Sequence, residues 1–151
     1  MFKRINNNID LASQEQSISN YWDKIEAFDN SMQNRKNEKT FRFYDGPPFP
    51  TGSPHYGNLL AGVIKDIVPR YWTMRGYYVE RRFGWDVHGL PIEMEVQKQL
   101  GLDDHQQIKE FGIGKFNEAC RSQVQTNTEN WERVTRKIGR WVDFENDYKT
   151  M

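Results

Sequence analysis

The chain has 151 residues, enough for one domain, and its 21 basic and 21 acidic side chains balance, so bulk charge indicates no nucleic-acid or membrane partner. A single cysteine excludes an internal disulfide, and with three scattered histidines it fits no structural zinc spacing. Since no apolar run reaches the ~18 residues of a membrane span and residues 1–10 lack a signal-peptide core, we expect a soluble, unprocessed, cytoplasmic protein.

The first predicted element is a short amphipathic helix. Ser13 followed by Gln16 has the form of a capping box, and apolar residues recur behind it at helical spacing. These residues are Ile18, Tyr21, Trp22, Ile25 and Phe28. The polar stretch 30–39 follows and is predicted to be a linker. We therefore divide the chain into a helical extension over residues 1–39 and a structured domain over residues 40–151.

A strand, a loop and a helix are predicted next. Residues 40–44 are aromatic and partly alternating, which is typical of a strand. The proline-rich stretch 46–54 excludes both helix and strand. From about Asn58 apolar residues recur at helical spacing, and Gly76 stands where a left-handed cap would end the helix.

The same order then repeats. Residues 77–83 again have strand character, and residues 84–89 form a second predicted loop. Pro91 suits the first turn of a helix that ends before Gly101. Strand, loop and helix in this repeated order predict an α/β fold with a parallel sheet and right-handed crossovers.

The last third of the chain is predicted to form a long carboxy-terminal helix. Its apolar stripe advances in steps of four and three residues, through Cys120, Val124, Asn127, Trp131, Val134, Ile138 and Trp141. Asn127 is the polar member of this stripe. We interpret the stripe as core or interface packing and not as a cofactor site.

The ligand site of such a fold is expected at the carboxyl ends of its strands, in the two loops. His55, Gly57 and Asn58 stand at the start of a helix, where unpaired N–H groups favour an anion such as phosphate. His55 can donate a hydrogen bond to that anion. Gly57 lets a flat group such as adenine lie close, and Asn58 is both a predicted N-cap and an amide donor. The alternative is a capped helix with a surface histidine.

A second candidate is Asp86, in the loop after the second predicted strand. Its carboxylate is suited to the ammonium group of a small ligand, or to capping a turn. Other phosphate motifs are absent from the sequence. Residues 112–115, Gly-Ile-Gly-Lys, lack the flanking residues of a P-loop and are predicted to be a helix boundary, and nothing fits Gly-x-Gly-x-x-Gly.

Three motifs in order closely resemble the amino-terminal part of isoleucyl-tRNA synthetases. They are Phe-Tyr-Asp-Gly-Pro-Pro-Phe at 43–49, Pro-His-Tyr-Gly-Asn at 54–58 and Arg-Arg-Phe-Gly-Trp-Asp-Val-His-Gly-Leu-Pro-Ile-Glu at 81–93. Segments 116–121 and 141–143 also resemble that family, so the resemblance covers nearly the whole chain. Among class I synthetases, leucyl relatives usually have Phe where His88 stands, and valyl relatives have a different loop before their histidine motif.

The resemblance implies the first half of a Rossmann-like catalytic domain. It also implies a two-step reaction, in which ATP and isoleucine give isoleucyl-adenylate and pyrophosphate before the aminoacyl group passes to tRNA(Ile). ATP would enter as a substrate with Mg²⁺, and the sequence shows no metal site. No membrane partner is implied.

On the ATP side, the resemblance gives His55 and Asn58 the first and last positions of the family's His-Ile-Gly-His signature. These two residues would be catalytic, because the signature stabilises charge that builds on the phosphates. With Gly57, which would leave room for adenine, they would bind ATP. Asn58 replaces the signature's second histidine, so it remains a neutral donor and cannot become a cation.

On the amino-acid side, the resemblance gives Asp86 the role of holding the substrate ammonium group. Gly46 and Pro47 would border the amino-acid pocket. The chain stops at Met151, before the family's Lys-Met-Ser-Lys-Ser loop and the second half of its sheet, so we expect a fragment. Three alternatives remain open: a valyl or leucyl synthetase, a nucleotidyltransferase with a His-x-Gly-His motif, and a non-catalytic binding module derived from a synthetase.

Overall fold

A computed structural model of the protein describes residues 9–125 and 127–150, apart from the side chain of residue 125. This part of the chain forms seven helices and one two-stranded sheet. The elements are α1 (Leu11–Lys24), α2 (Ala27–Gln33), α3 (Tyr56–Met74), β1 (Arg82–Trp85), α4 (Leu90–Leu100), α5 (His105–Phe111), α6 (Ile113–Gln125), α7 (Thr128–Lys137) and β2 (Asp143–Lys149). β1 and β2 pair in parallel, which agrees with the predicted sheet type.

The two predicted strands differ from the observed ones. Of residues 40–44, all of which the structure describes, only Thr40 is bridged, in parallel to Tyr78. The second strand, β1, is shifted toward the carboxyl end and includes Gly84 and Trp85, which we had placed in a loop. The reason is that its partner is β2, about sixty residues further along the chain, so a local pattern could not show where pairing starts.

The amino-terminal helix begins and ends differently from the prediction. Asp10 is its N-cap, because the Asp10 side chain accepts a hydrogen bond from the Ser13 N–H at 3.2 Å. Ser13 therefore lies in the first turn. Glu26 has a left-handed φ of 48°, which separates α1 from α2, so Phe28 belongs to α2. Since α2 extends to Gln33, the predicted linker 30–39 is partly helical, and residues 1–8 of the predicted extension lie outside the described residues.

The predictions for α3 and α4 are confirmed. Gly76, just past α3, has a φ of 94°, and Gly101 ends α4 with a φ of 65°. Both angles lie in the left-handed region, where glycine has no Cβ to clash. Pro91 lies in the first turn of α4, where its missing N–H costs no hydrogen bond.

The long carboxy-terminal helix was a wrong prediction. The stripe begins in α6, continues in α7 and ends beyond α7 at Ile138 and Trp141. Asn127 lies at the amino end of α7, and its side chain donates to the Pro50 carbonyl. Gly139, with a φ of 74°, follows α7, and β2 comes after it. The glycine pair at 112–115 does mark a helix boundary, between α5 and α6.

The core lies between the sheet and helices α4, α6 and α7. Its buried apolar cluster consists of Phe83, Trp85, Val87, Ile92, Val124, Trp131 and Val142, with Phe144 packed against it. Phe83 stacks on Phe144 with ring centroids 4.4 Å apart. Val124 and Trp131 come from the predicted stripe, which confirms its packing role.

A buried arginine joins the end of α3 to the chain before β1. Arg81 is 3% exposed, and its Nη2 donates to Thr73 Oγ1 at 2.5 Å and to the Pro69 carbonyl at 3.2 Å. Burial lowers the pKa of the Arg81 guanidinium to about 10, against the opposing effect of the Asp66 carboxylate. The position of α3 relative to the sheet is therefore fixed by a buried cation.

The outward face of α3 is apolar and exposed. Its exposed side chains are Leu60, Val63, Ile64, Ile67, Val68, Tyr71 and Met74. None of the helices in the described ranges combines the length and apolar character that crossing a membrane requires.

Candidate functional site

The amino end of α3 is closed by a capping box made of His55 and Asn58. His55 Nδ1 accepts from the Asn58 N–H at 3.4 Å, and Asn58 Oδ1 accepts from the His55 N–H at 3.0 Å. His55 is therefore the N-cap, and Asn58, which we had predicted as the N-cap, is the third helical residue. The prediction failed because the imidazole, which seldom caps a helix, takes that place here.

This capping box leaves two hydrogen-bond donors for a ligand. A neutral imidazole that accepts at Nδ1 carries its proton on Nε2, so His55 can donate outward from Nε2. The Nδ2 group of Asn58 takes no part in the box. Both residues stand at the positive end of the α3 dipole, and the amino end of a 19-residue helix favours an anion.

Gly57 lies beneath the His55 ring. A Cβ at position 57 would lie 3.1 Å from Cε1 and 3.2 Å from Nδ1 of His55. A side chain there would require the imidazole to shift by a few tenths of an ångström. The absence of a side chain at Gly57 therefore lets the His55 ring lie close over the first turn in its capping position.

The segment 45–54, which we call the proline loop, is held by hydrogen bonds from elsewhere in the chain. The Gly46 carbonyl accepts a hydrogen bond from Lys65 Nζ at 2.5 Å, and the Pro48 carbonyl accepts one from the Asp86 N–H at 2.8 Å. Further along the loop, the Pro50 carbonyl accepts from Asn127 Nδ2 at 3.2 Å, and the Gly52 carbonyl accepts from Trp131 Nε1 at 3.0 Å. The Asn130 amide also donates to Ser53 Oγ at 3.0 Å. Every second carbonyl from 46 to 52 is thus satisfied by a partner outside the loop.

Asp45 anchors the start of the proline loop. Its side chain is 2% exposed and forms ion pairs with Lys65 of α3, at 2.7 Å, and with Arg140. Its backbone carbonyl accepts from the Tyr148 hydroxyl of β2. Burial, and after it the Asp45 carboxylate, raise the pKa of the Tyr148 phenol. One buried residue therefore joins the loop to α3, to the segment after α7 and to β2.

Asp86 lies beside the proline loop, as the predicted site requires. It follows β1 directly, and the hydrogen bond from its N–H to the Pro48 carbonyl ties it to the segment that contains Gly46 and Pro47. Asp86 Oδ1 accepts from Thr150 Oγ1 at 2.9 Å. This hydrogen bond orients the half-buried Asp86 carboxylate through Oδ1, and the other oxygen, Oδ2, takes no part in it.

A small cavity lies between the proline loop and α3, and Asn58 is the predicted site residue that lines it. It measures about 40 Å³, and its lining includes Pro48, Pro54, Asn58, Lys65 and Arg140. This volume accommodates about one or two waters and is far below the several hundred Å³ of a typical ligand pocket. A larger ligand would not fit inside this cavity, and His55 is exposed to solvent outside it.

A larger groove of about 730 Å³ lies between α1–α2 and the segment 133–142, and Arg140 lines both it and the small cavity. Its lining includes Trp22 and Trp141, and the guanidinium carbon of Arg70 lies 5.4 Å and 3.8 Å from their ring centroids. The groove holds none of the predicted site residues. Among the residues described, no group of three His, Cys, Asp or Glu side chains is arranged to hold a metal ion.

Several residues of this site were not identified from the sequence as functional. Asp45, Lys65 and Arg140 form its buried ion pairs, and Asn127 and Trp131 hold the proline loop. The sequence did contain one signal, since Asn127 interrupts an otherwise apolar stripe. A polar residue in such a stripe indicates a specific buried partner, which is the Pro50 carbonyl.

Comparisons with known proteins connect this geometry to one family. The profile described as tRNA synthetases class I (I, L, M and V) matches residues 17–151. The chain is 50% identical over 151 residues to an isoleucine–tRNA ligase of Treponema denticola, and 54% identical over 142 residues to one of Mycobacterium tuberculosis strain H37Rv. These matches cover 100% and 94% of this chain and 14% of each relative, so the chain spans about a seventh of the length of these curated relatives.

A solved structure supports the fold. The leucyl-tRNA synthetase agnB2 of Agrobacterium radiobacter K84, determined in a ternary complex with tRNA and LeuAMS, matches with a TM-score of 0.59. The match covers 95% of this chain and 16% of that one, at 22% sequence identity. It confirms the predicted α/β, Rossmann-like class.

Proposed function

The chain belongs to the class I tRNA synthetases, and from this membership we propose that it is the amino-terminal part of an isoleucine–tRNA ligase. Residues 40–151 would supply the first half of the catalytic domain, and residues 1–39 an extension in front of it. The proposed reaction activates isoleucine with ATP and transfers it to tRNA(Ile) in the cytoplasm. Identities of 50% and 54% to isoleucine–tRNA ligases support isoleucine over leucine or valine.

One observation carries this proposal. The Asp86 N–H donates to the Pro48 carbonyl, and Pro48 borders the same cavity as Asn58. Candidate groups for an amino acid and for a phosphate chain therefore lie on adjacent sides of one surface. Joining an amino acid to a nucleotide requires this arrangement.

On the phosphate side, His55 Nε2 and Asn58 Nδ2 would donate to ATP at the amino end of α3. The isoleucine carboxylate attacks the α-phosphorus, a P–O bond to the carboxylate forms, and the bond to the β-phosphate oxygen breaks to release pyrophosphate. Negative charge grows on the phosphoryl oxygens in the transition state. Fixed donors at that place are worth roughly 3 to 4 kcal/mol each. Gly57, which has no side chain, would let the adenine lie close to the backbone of the first turn.

On the amino-acid side, Asp86 would hold the ammonium group of isoleucine. A carboxylate oriented by Thr150 makes a charge-assisted hydrogen bond of defined direction. Gly46 and Pro47 would border the remainder of the amino acid, at the fixed end of the proline loop. The nucleophilic carboxylate of the substrate would then face the phosphate side.

ATP would arrive with Mg²⁺ as its counter-ion. The described residues present no cluster of three metal-ligating side chains, so they do not fit a protein-held magnesium site. We therefore assign no catalytic step to a protein-bound metal in this part of the molecule.

Isotope exchange between pyrophosphate and ATP tests the proposal. Exchange should depend on isoleucine and should respond much less to leucine or valine at equal concentration. Because the family's lysine loop is not among these 151 residues, the chain alone should exchange orders of magnitude more slowly than a full-length ligase. If isoleucine changes neither the rate of exchange nor the binding of nucleotide, a nucleotidyltransferase is favoured instead. If the chain neither binds the ligands nor catalyses exchange, a non-catalytic module is favoured.

Asp86→Asn provides the internal check. If Asp86 holds the ammonium group, this variant should lose affinity for isoleucine far more than affinity for ATP. Titration of the chain with each ligand separately measures the two effects. Equal losses for both ligands would contradict the assignment of Asp86.

A further inference from the structure

Asp45 lies where the two proposed halves of the site join. It immediately precedes Gly46 and Pro47, and its carboxylate is paired with Lys65, which lies two turns after Asn58 on α3. Lys65 Nζ also donates to the Gly46 carbonyl at 2.5 Å. The Lys65 ammonium group therefore forms an ion pair with the side chain of Asp45 and a hydrogen bond with the backbone of the next residue.

The second partner of Asp45 fixes this pair to the core. Arg140 follows α7, is 9% exposed and pairs with the other carboxylate oxygen of Asp45. Its guanidinium carbon lies 5.5 Å from the ring centroid of Phe83, which belongs to the buried cluster. The arrangement Lys65–Asp45–Arg140 thus connects α3, the proline loop and the core through groups that are largely removed from water.

We propose that Asp45 is a positioning residue, which sets the distance between the amino-acid side of the site, at Gly46 and Pro47, and the phosphate side, at His55 and Asn58. The inference rests on the proposed function for the identity of those two sides. Asp45 itself touches neither substrate. Loss of Asp45 should therefore weaken the binding of ligands that occupy both sides together. Each side alone is held by contacts of its own, which are the capping box on the phosphate side and the hydrogen bond from the Asp86 N–H on the amino-acid side.

Two variants of the full 151-residue chain test this role. Asp45→Asn removes the charge between Lys65 and Arg140. Lys65→Met is the safer variant, because the Lys65 side chain is 26% exposed and its removal leaves the buried pair of Asp45 and Arg140 intact. Glu132→Gln is the matched control, since it breaks the exposed ion pair with Arg136 on α7 and leaves the loop untouched.

The ligands are isoleucine, ATP and a non-hydrolysable isoleucyl-sulfamoyl adenosine that joins the two. We expect Lys65→Met to change the affinities for isoleucine and ATP little and to weaken the joined compound by about 10- to 100-fold, as a misplacement of about 1 Å does. Asp45→Asn should do the same where it folds. Glu132→Gln should match the unaltered chain. A loss for the joined compound no larger than the combined losses for the separate ligands would overturn the proposal.

A measurement without ligands separates this inference from the proposed function. Pro48, Pro54 and Leu59 line the cavity between the loop and α3, so nuclear Overhauser contacts across it report the spacing of the two sides. These contacts should weaken in Lys65→Met and persist in Glu132→Gln. If they persist in Lys65→Met, the positioning role is wrong. If the unaltered chain binds none of the three ligands while the contacts respond as expected, the proposed function fails and the positioning role of Asp45 stands.

Discussion

The two sides of the candidate site are built in different ways. The amino end of α3 is closed by His55 and Asn58, which are three residues apart. The proline loop is held by residues 19 to 103 positions away, from Lys65 at one extreme to Tyr148 at the other. The capping box can therefore form with its own helix, whereas the proline loop also depends on contacts from α7 and β2, which come later in the chain.

This difference makes the two sides separable by mutation. Substitutions that disturb β1, β2 or α7 should release the proline loop and leave the capping box in place. Substitutions in the capping box should loosen the first turn of α3 and leave the proline loop in place.

Gly84→Ala should have the largest effect on the loop side. A Cβ at position 84 would lie 2.2 Å from Cζ of Tyr148, so the ring that hydrogen-bonds to Asp45 must leave. We expect the free energy of unfolding to fall by about 3 kcal/mol, as for severe overpacking. Urea denaturation measures it. Gly114→Ala is the matched control, because position 114 lies in α6 with open space around it, and alanine there should be neutral or stabilising by up to about 1 kcal/mol.

Trp131→Phe should loosen the loop at its far end. The substitution keeps an aromatic ring in the core but removes the indole N–H that donates to the Gly52 carbonyl at 3.0 Å. One lost hydrogen bond and a small gap together predict a destabilisation of about 2 kcal/mol. Hydrogen exchange should rise at the amides of residues 51–53, since Pro50 and Pro54 carry no N–H, and stay unchanged in the first turn of α3. Faster exchange at Asn58 as well would show that the two sides are not separable.

Asn58→Ala should act on the phosphate side alone. Loss of the capping box predicts a destabilisation of about 1 kcal/mol, and loss of a transition-state donor predicts slower adenylate formation by about 10- to 1000-fold in an active full-length protein. Asn58→Asp separates the two effects, because it keeps an oxygen for the His55 N–H and removes the Nδ2 donor. Adenylate formation at the unaltered rate in either variant would leave Asn58 with a capping role only.

Tyr148 should give the smallest effect, as a dependence of stability on alkaline pH. The pKa of its phenol is raised in the folded protein, so the folded state retains the proton more strongly than the unfolded one. This stabilisation is fully present below the ordinary pKa of about 10 and is lost as the pH rises through the higher folded value. Tyr148→Phe should remove that part of the alkaline decline. An identical decline in both proteins would place its cause elsewhere.

The same contrast explains what could be predicted from the sequence. Helices α3 and α4 could be predicted from apolar spacings of three and four residues and from the glycines with positive φ that follow them. The candidate groups at the amino end of α3 could be predicted in the same local way. The start of β1 and the support of the proline loop depend on pairing with β2 and on side chains of α7, which no local pattern contains. The prediction of one long carboxy-terminal helix failed for the same reason, because a distant carbonyl decides where the Asn127 side chain points.

The exposed apolar face of α3 has a consequence for how molecules of this chain behave toward one another. Several of its side chains, Leu60 and Met74 among them, are more than half exposed, and they line one side of a 19-residue helix. With a formal net charge of zero at pH 7, no overall electrostatic repulsion keeps two molecules apart. Static light scattering should therefore show net attraction at neutral pH that grows with added sulfate, and repulsion once the pH is moved well away from neutrality. This apolar face belongs to the same helix that carries the proposed phosphate donors at its amino end.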